Sequence, residues 1–343
     1  MRAYREIFLM VWMAIFLLLL LLPYEYFPAK WSFDSMKISG EIDYYDIEGS
    51  FRTTRSFLYV IGDLSAIFWV LLAGVGWIYV TSRYINSAMS FLVVSLFFVP
   101  VMLLNTIWPA KETIVMLIAL LVVFLWTRLR INMILLVFIS YAIYGYFFRS
   151  YYFVILALFL FLCLGDLKAI YQGRVDNTGW FFARSKHWVW YLSAFCVAAF
   201  AMPESFYEYS QGQREVSNAY ALLEGSYNQT AFDNIADVGR GLAFIKNYFW
   251  AMLNLLLPFV VGFGLNQILL FLFSVFCIYI LYFSSVLSVK RNVFSYLFLS
   301  HMLVLFLFEP DQGSYFRHIL SVVLYLMPVV SDFEFSKYKK ECV

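Results

Sequence analysis

Apolar residues in this chain come in blocks rather than in alternation. Nearly uninterrupted runs cover residues 7–22, 57–81, 88–107, 113–127, 131–148, 150–165, 187–203, 265–288, 292–308 and 317–331. Hydrocarbon about 30 Å thick takes about 20 helical residues to cross. Backbone groups in lipid must be satisfied internally, so such runs are helices or barrel strands, and continuity selects helices. The pattern predicts an all-α polytopic integral membrane protein with about ten transmembrane helices. One stretch stands apart. Residues 247–263 are apolar but short, interrupted by Pro258 and followed by Gly262-Phe263-Gly264, and they read as a re-entrant segment. Two polar stretches, 23–56 and 204–246, are long enough to be functional and carry many Tyr and Phe. They predict short helices lying over the membrane surface as large outer loops of a single membrane domain, 1–343.

Composition agrees. The 343 residues are 63% hydrophobic and 13% charged, about half the charge of an ordinary soluble domain. The first apolar run leads into Pro23-Tyr24-Glu25-Tyr26, not a small-residue cleavage site, which predicts a retained first helix. Cys163, Cys196 and Cys277 fall in apolar runs and Cys342 in the tail, so no disulfide framework is implied. His187, His301 and His318 are far apart and give no metal signature. No phosphate-binding loop or dinucleotide fingerprint is present, and nothing points to a nucleic-acid partner.

Charge decides orientation. If 247–263 dips without crossing, the inner segments hold Arg2, Arg5, Arg83, Arg128, Arg130, Lys168, Arg174, Arg184, Lys186, Lys290, Arg291, Lys337, Lys339 and Lys340. These are 14 of the 24 cations, against six of the 22 acids. If the segment crossed, Lys290, Arg291 and the lysines of the tail 332–343 would move outside and the asymmetry would largely vanish. The positive-inside rule therefore puts both termini in the cytoplasm and both large loops outside.

Against that frame, a few charges stand in unusual places. Arg149 lies alone in Phe147-Phe148-Arg149-Ser150-Tyr151-Tyr152, between two spans with almost no link. An ionisable residue at that depth costs a few kcal/mol and tends to face a polar cavity. The bland alternative is a structural ion pair with Asp63, at comparable depth on the second span. Lys111, in Trp108-Pro109-Ala110-Lys111-Glu112, opens the fourth helix, an anion-binding feature in itself; a snorkelling lysine beside its counter-ion would look the same. The outer turn from Glu309 to His318 ends in Arg317-His318. An arginine fork grips phosphate, and a histidine titrating near neutrality can act as a base, with Glu309 the other candidate. A solvated helical hairpin would have similar composition. Glu41 and Asp43 are spaced like a divalent-metal pair, a pattern short enough to arise by chance. Arg214 begins about three helical turns that end at Gly225, which equally describes a plain surface helix.

These features together resemble the Wzy-type O-antigen and exopolysaccharide polymerases of bacterial inner membranes, including the EpsG-like branch. The likeness rests on layout and on Pro109-x-Lys111-Glu112, Arg149-Ser150-Tyr151-Tyr152, the late turn ending Arg317-His318, and one Arg-x10-Gly stretch, Arg214 to Gly225. The second such stretch found in some of those proteins has no counterpart. The resemblance implies a metal-independent glycosyltransferase without cofactor. It would transfer a growing glycan from undecaprenyl diphosphate to an incoming lipid-linked oligosaccharide at the periplasmic face, with a chain-length regulator as a further partner. Arg149, Arg317 and Lys111 would hold diphosphate, His318 or Glu309 would be the base, and Arg214 would hold glycan. An O-antigen ligase using the same donor, a polyprenyl-phosphate-sugar glycosyltransferase with metal on Glu41 and Asp43, and a lipid-linked oligosaccharide flippase remain alternatives. A flippase predicts charges near the midplane and internal repeats; here the charges lie at outer ends, and no repeat is evident.

Overall fold

The computed structural model describes residues 2–23, 26–27, 35–39, 49–129, 132–164, 185–223, 230–260, 262–283 and 289–330. Glu41, Asp43, Gly225, the tail 332–343, most of loop 166–186 and much of loop 23–56 lie outside the described residues. Apart from the extended Val60–Gly62, the regular elements are helices. They are α1 (Arg2–Leu21), α2 (Gly49–Leu58), α3 (Asp63–Ser82), α4 (Ala88–Val101), α5 (Lys111–Leu129), α6 (Met133–Phe147), α7 (Tyr152–Leu164) and α8 (Ser185–Phe200). After them come α9 (Glu204–Tyr207), α10 (Gln213–Leu223), α11 (Leu242–Leu256), α12 (Leu265–Phe283), α13 (Val289–Phe308) and α14 (Gln312–Leu320).

Three helices, Ala3–Leu21, Asp63–Ser82 and Ala88–Thr106, are long and apolar enough to cross a membrane; 133–147, 152–164, 191–200, 267–281 and 293–308 are shorter apolar helices. Their outward faces are as greasy as their inward ones. Met10, Leu18, Leu64, Leu92, Leu96, Phe138 and Ile143 are all exposed. Water does not tolerate apolar surface on that scale, and lipid does. The helices are those of a membrane-embedded protein.

The chain packs as two compact units, residues 1–153 with 320–343 and residues 154–319. In the first, α1 lies against α3 and α4, and α3 against α5. Small residues allow close approach. A Cβ at Gly74 would stand 2.3 Å from Phe16 of α1, and one at Gly76 would stand 2.7 Å from Leu120 of α5. Glycine at a helix contact serves this purpose in membranes, where packing rather than water drives association. Trp77 Nε1 adds a 3.2 Å bond to Met116 O across the same α3–α5 contact. In the second unit α13 is the buried axis: from Val293 to Phe308 nearly every side chain is inaccessible. The helix α11 packs on α13 and α12, and Tyr191 and Tyr248 hydroxyls meet at 3.2 Å between α8 and α11.

Three boundaries differ from the apolar pattern. The run 57–81 is two helices, because Gly62 takes φ 67° between them, a conformation closed to most side chains. Ser65 closes the break, its hydroxyl 2.7 Å from Leu58 O and 2.8 Å from Gly62 O. The run 88–107 widens into a π-turn over Met102–Thr106 just after Pro100; proline cannot donate its intrahelical bond, and the ladder re-forms with a longer step. The run 317–331 starts five residues early. Asp311 Oδ1 accepts from Ser314 N–H at 2.9 Å, an N-cap that begins α14 at Gln312, and the helix gives way to a 3-10 turn at Val323–Leu326.

Candidate functional site

Two groups of polar side chains are built into the apolar frame, one in each unit. In the first unit, Lys111 is the first residue of α5, where backbone N–H groups lack intrahelical acceptors. Thr113 Oγ1 takes one of them, from Ala110, at 3.0 Å. Lys111 is buried, its Nζ 2.9 Å from Ser50 Oγ and 3.1 Å from the centroid of the Phe51 ring, so α2 covers it. Beside it Glu112 is also buried, and its Oε1 stands 3.7 Å from Arg149 Nη2. Arg149 keeps 13% of its side chain exposed and donates from Nη1 to Tyr151 at 2.8 Å. Its backbone N–H bonds Tyr144 O at 3.2 Å, which fixes the turn that ends α6. Among the described residues the buried Tyr144 hydroxyl has no hydrogen-bond partner, and it lies within electrostatic reach of Arg149 and Glu112. Lys111 and Arg149 thus place two cations in a partly desolvated region beside Glu112, Lys111 at the positive end of a helix. That arrangement favours an anion with several oxygens. Asp63, weighed as an alternative structural partner of Arg149, is exposed at the start of α3, and Arg149 stands at ion-pair distance from Glu112.

In the second unit the turn between α13 and α14 brings Glu309, Ser314 and His318 together. Ser314 and His318 are four apart on α14 and so share a face. Both reach Glu309: Ser314 Oγ donates to Oε2 at 2.6 Å, and His318 Nδ1 forms a short hydrogen bond with Oε1. Glu309 is buried, while 12% of the His318 side chain is exposed. A carboxylate holding Nδ1 sets the ring's orientation and turns Nε2 away from the protein's own acceptor. Arg317 precedes His318 and acts electrostatically on Asp311. Burial raises the Asp311 carboxyl above its ordinary value, against the opposing Ser314 N–H and Arg317. Among the described residues no three His, Cys, Asp or Glu side chains converge as a metal site.

Arg214 belongs to this unit but has a different occupation. It is 2% exposed, and its guanidinium spans the end of α13. Nε and Nη2 point to Glu309 O at 3.4 and 3.3 Å, Nη2 also to Phe306 O at 3.4 Å, and Nη1 to Asn234 Oδ1 at 2.5 Å. The ring of Phe232 lies 4.7 Å away. Helix carbonyls at a C-terminus lack donors, and the helix is negative there, so one guanidinium answers both needs. Burial lowers its pKa to about 10, against the pull of Glu309, Glu215 and Asp233, so it stays charged at neutral pH. Arg214 thus pins the 204–246 segment to the helix that leads into Glu309.

Amides that the apolar pattern does not single out complete the fastening. Asn247 Nδ2 donates to Ala236 O at 2.9 Å while its Oδ1 accepts from Ala236 N–H at 2.9 Å. Gln312 Nε2 bonds both Asn254 O and Pro258 O at 3.0 Å, where α11 ends. Their one sequence signal is polarity inside an otherwise apolar stretch. Glu112 and Ser314 have a better one, since each stands next to or four residues from a residue already singled out. Set against protein-family models, curated proteins and solved structures, the chain matches none.

Proposed function

We propose that this protein is a polysaccharide polymerase of the bacterial inner membrane. In this reading about ten spans and the re-entrant 247–263 put both termini in the cytoplasm and the loops 23–56 and 204–246 in the periplasm, in line with the positive-inside count. The observation that carries the reading is the buried Glu309 holding His318 one residue from Arg317. Lipid diphosphate is an activated leaving group, so the enzyme supplies charge, position and a base. The donor's anomeric C–O bond to diphosphate breaks, and the acceptor hydroxyl oxygen bonds to that carbon. The hydroxyl proton passes to His318 Nε2, and undecaprenyl diphosphate leaves as the anion. Glu309 orients the imidazole and stabilises its charged form. Arg317 supplies positive charge beside His318, and Arg149 with Lys111 supplies it in the other unit, each suited to diphosphate oxygens. Arg214 is a positioning residue for the loop that takes glycan. A chain-length regulator is the expected protein partner.

The test is a deletion complemented with variants and examined by polysaccharide gel. His318→Gln and Glu309→Gln each lower long-chain polymer by about 100-fold, within the usual contribution of a general base, and leave single repeat units on the final acceptor. Normal ladders in both variants overturn the assignment. Loss of single capped units as well as ladders in the deletion identifies a ligase, which uses the same donor.

A further inference from the structure

The opposite end of the α3–α5 pair carries two arginines. Arg83 follows α3, and Arg128 lies in the last turn of α5. Arg83 Nη2 forms a short hydrogen bond to Tyr79 OH, and Arg128 acts electrostatically on the same hydroxyl. The Arg83 guanidinium also packs on the Tyr79 ring, 4.5 Å from its centroid. A cation in the last helical turn is ordinary by itself, since it faces the negative end of the helix dipole. Two arginines close enough to act on one neutral hydroxyl are not explained that way, because like charges repel. Among the described residues neither arginine has a carboxylate partner, and Arg83 Nε is buried with no hydrogen-bond partner. The platform is rigid, because Gly76 against Leu120 and Trp77 on Met116 O lock α3 to α5 within a turn of Tyr79.

We propose that Arg83, Arg128 and Tyr79 form a binding site for the phosphate of an anionic phospholipid headgroup at the inner surface. The site has what one phosphate needs: two forks with donors to spare, and a hydroxyl whose hydrogen can turn outward. A source in the lipid itself is favoured by surroundings. Tyr79 and Val75 are exposed on the outward face of a helix long and apolar enough to cross a membrane, so acyl chains would lie along it while the headgroup meets the arginines.

The experiment is native mass spectrometry of the full chain released from detergent, with phosphatidylglycerol or phosphatidylcholine added at equal concentration. The parent retains phosphatidylglycerol about tenfold more than phosphatidylcholine, and Arg83→Ala with Arg128→Ala reduces that preference to about twofold or less. Arg83→Lys with Arg128→Lys keeps the charge and retains part of it. Equal preference in parent and double alanine variant overturns the site. Displacement of the bound lipid by millimolar inorganic phosphate overturns the lipid as its ligand.

Discussion

Arg149 and Arg214 are both solitary arginines in segments that border apolar runs, yet the two regions use them in opposite ways. Arg214 directs its nitrogens at carbonyl and amide oxygens of the protein and is sealed at 2% exposure. Arg149 stands 3.7 Å from the Glu112 carboxylate, donates to the Tyr151 phenol, and keeps 13% of its side chain open. Burial therefore does not by itself mark a ligand-binding arginine. The identity of the acceptors does. Backbone carbonyls at a helix end are permanent partners that cannot leave, whereas a carboxylate at ion-pair distance can share its cation with an incoming anion.

The sharpest way to break this contrast is to remove each arginine and measure polymer and stability together. Arg149→Ala should lower long-chain polymer by about 100-fold, as loss of one preorganised anion contact does elsewhere, with a smaller fall in the unfolding midpoint in detergent than Arg214→Ala. A midpoint that falls as far as for Arg214→Ala would erase the distinction. Arg214→Ala should lose about 2–4 kcal/mol of stability, because it leaves the α13 carbonyls and Asn234 without their donor. Arg214→Lys should recover less than half, since an ammonium cannot span Phe306 O, Glu309 O and Asn234 at once. The smallest effect belongs to Asp311. Asp311→Asn keeps an oxygen for Ser314 and Thr230 and should shift stability at neutral pH by under about 0.5 kcal/mol. It should also flatten the acid side of the profile. The raised carboxyl binds its proton more tightly folded than unfolded, so the parent gains stability as pH falls toward the ordinary value of 3.8 and the variant does not. Melting curves of both proteins between neutral pH and pH 4 read this directly.

Much of the helical order was legible in hydropathy because lipid leaves few other options to an apolar run. The breaks were less so. Pro100 signals the irregularity that becomes the π-turn, and Asp311 with Ser314 three residues on is a readable cap, but both sit beside apolar stretches whose continuity dominates a window average. The end of α14 near Ser321 has no glycine or proline to announce it. At the candidate sites, charge at helix ends picked out Lys111, Arg149, Glu309, Arg317 and His318. It could not say that Arg149 would meet Glu112 or that Arg214 would cap α13, because those pairings depend on which helices pack together and not on local spacing.

The side chain of Gln312 has a consequence of another kind. Where α11 stops at Leu256 and Pro258 prevents a further turn, its last carbonyls need donors that neither helix nor hydrocarbon can provide. In a soluble protein water would come to them. Here the amide of Gln312 stands in for it, one immobilised solvent molecule tethered to the next hairpin. Its nitrogen serves both oxygens as a donor, so Gln312→Glu, though nearly isosteric, would set carboxylate oxygen against carbonyl oxygen. The reversal at 257–260 is in this sense solvated by residue 312, a donor delivered by the chain itself.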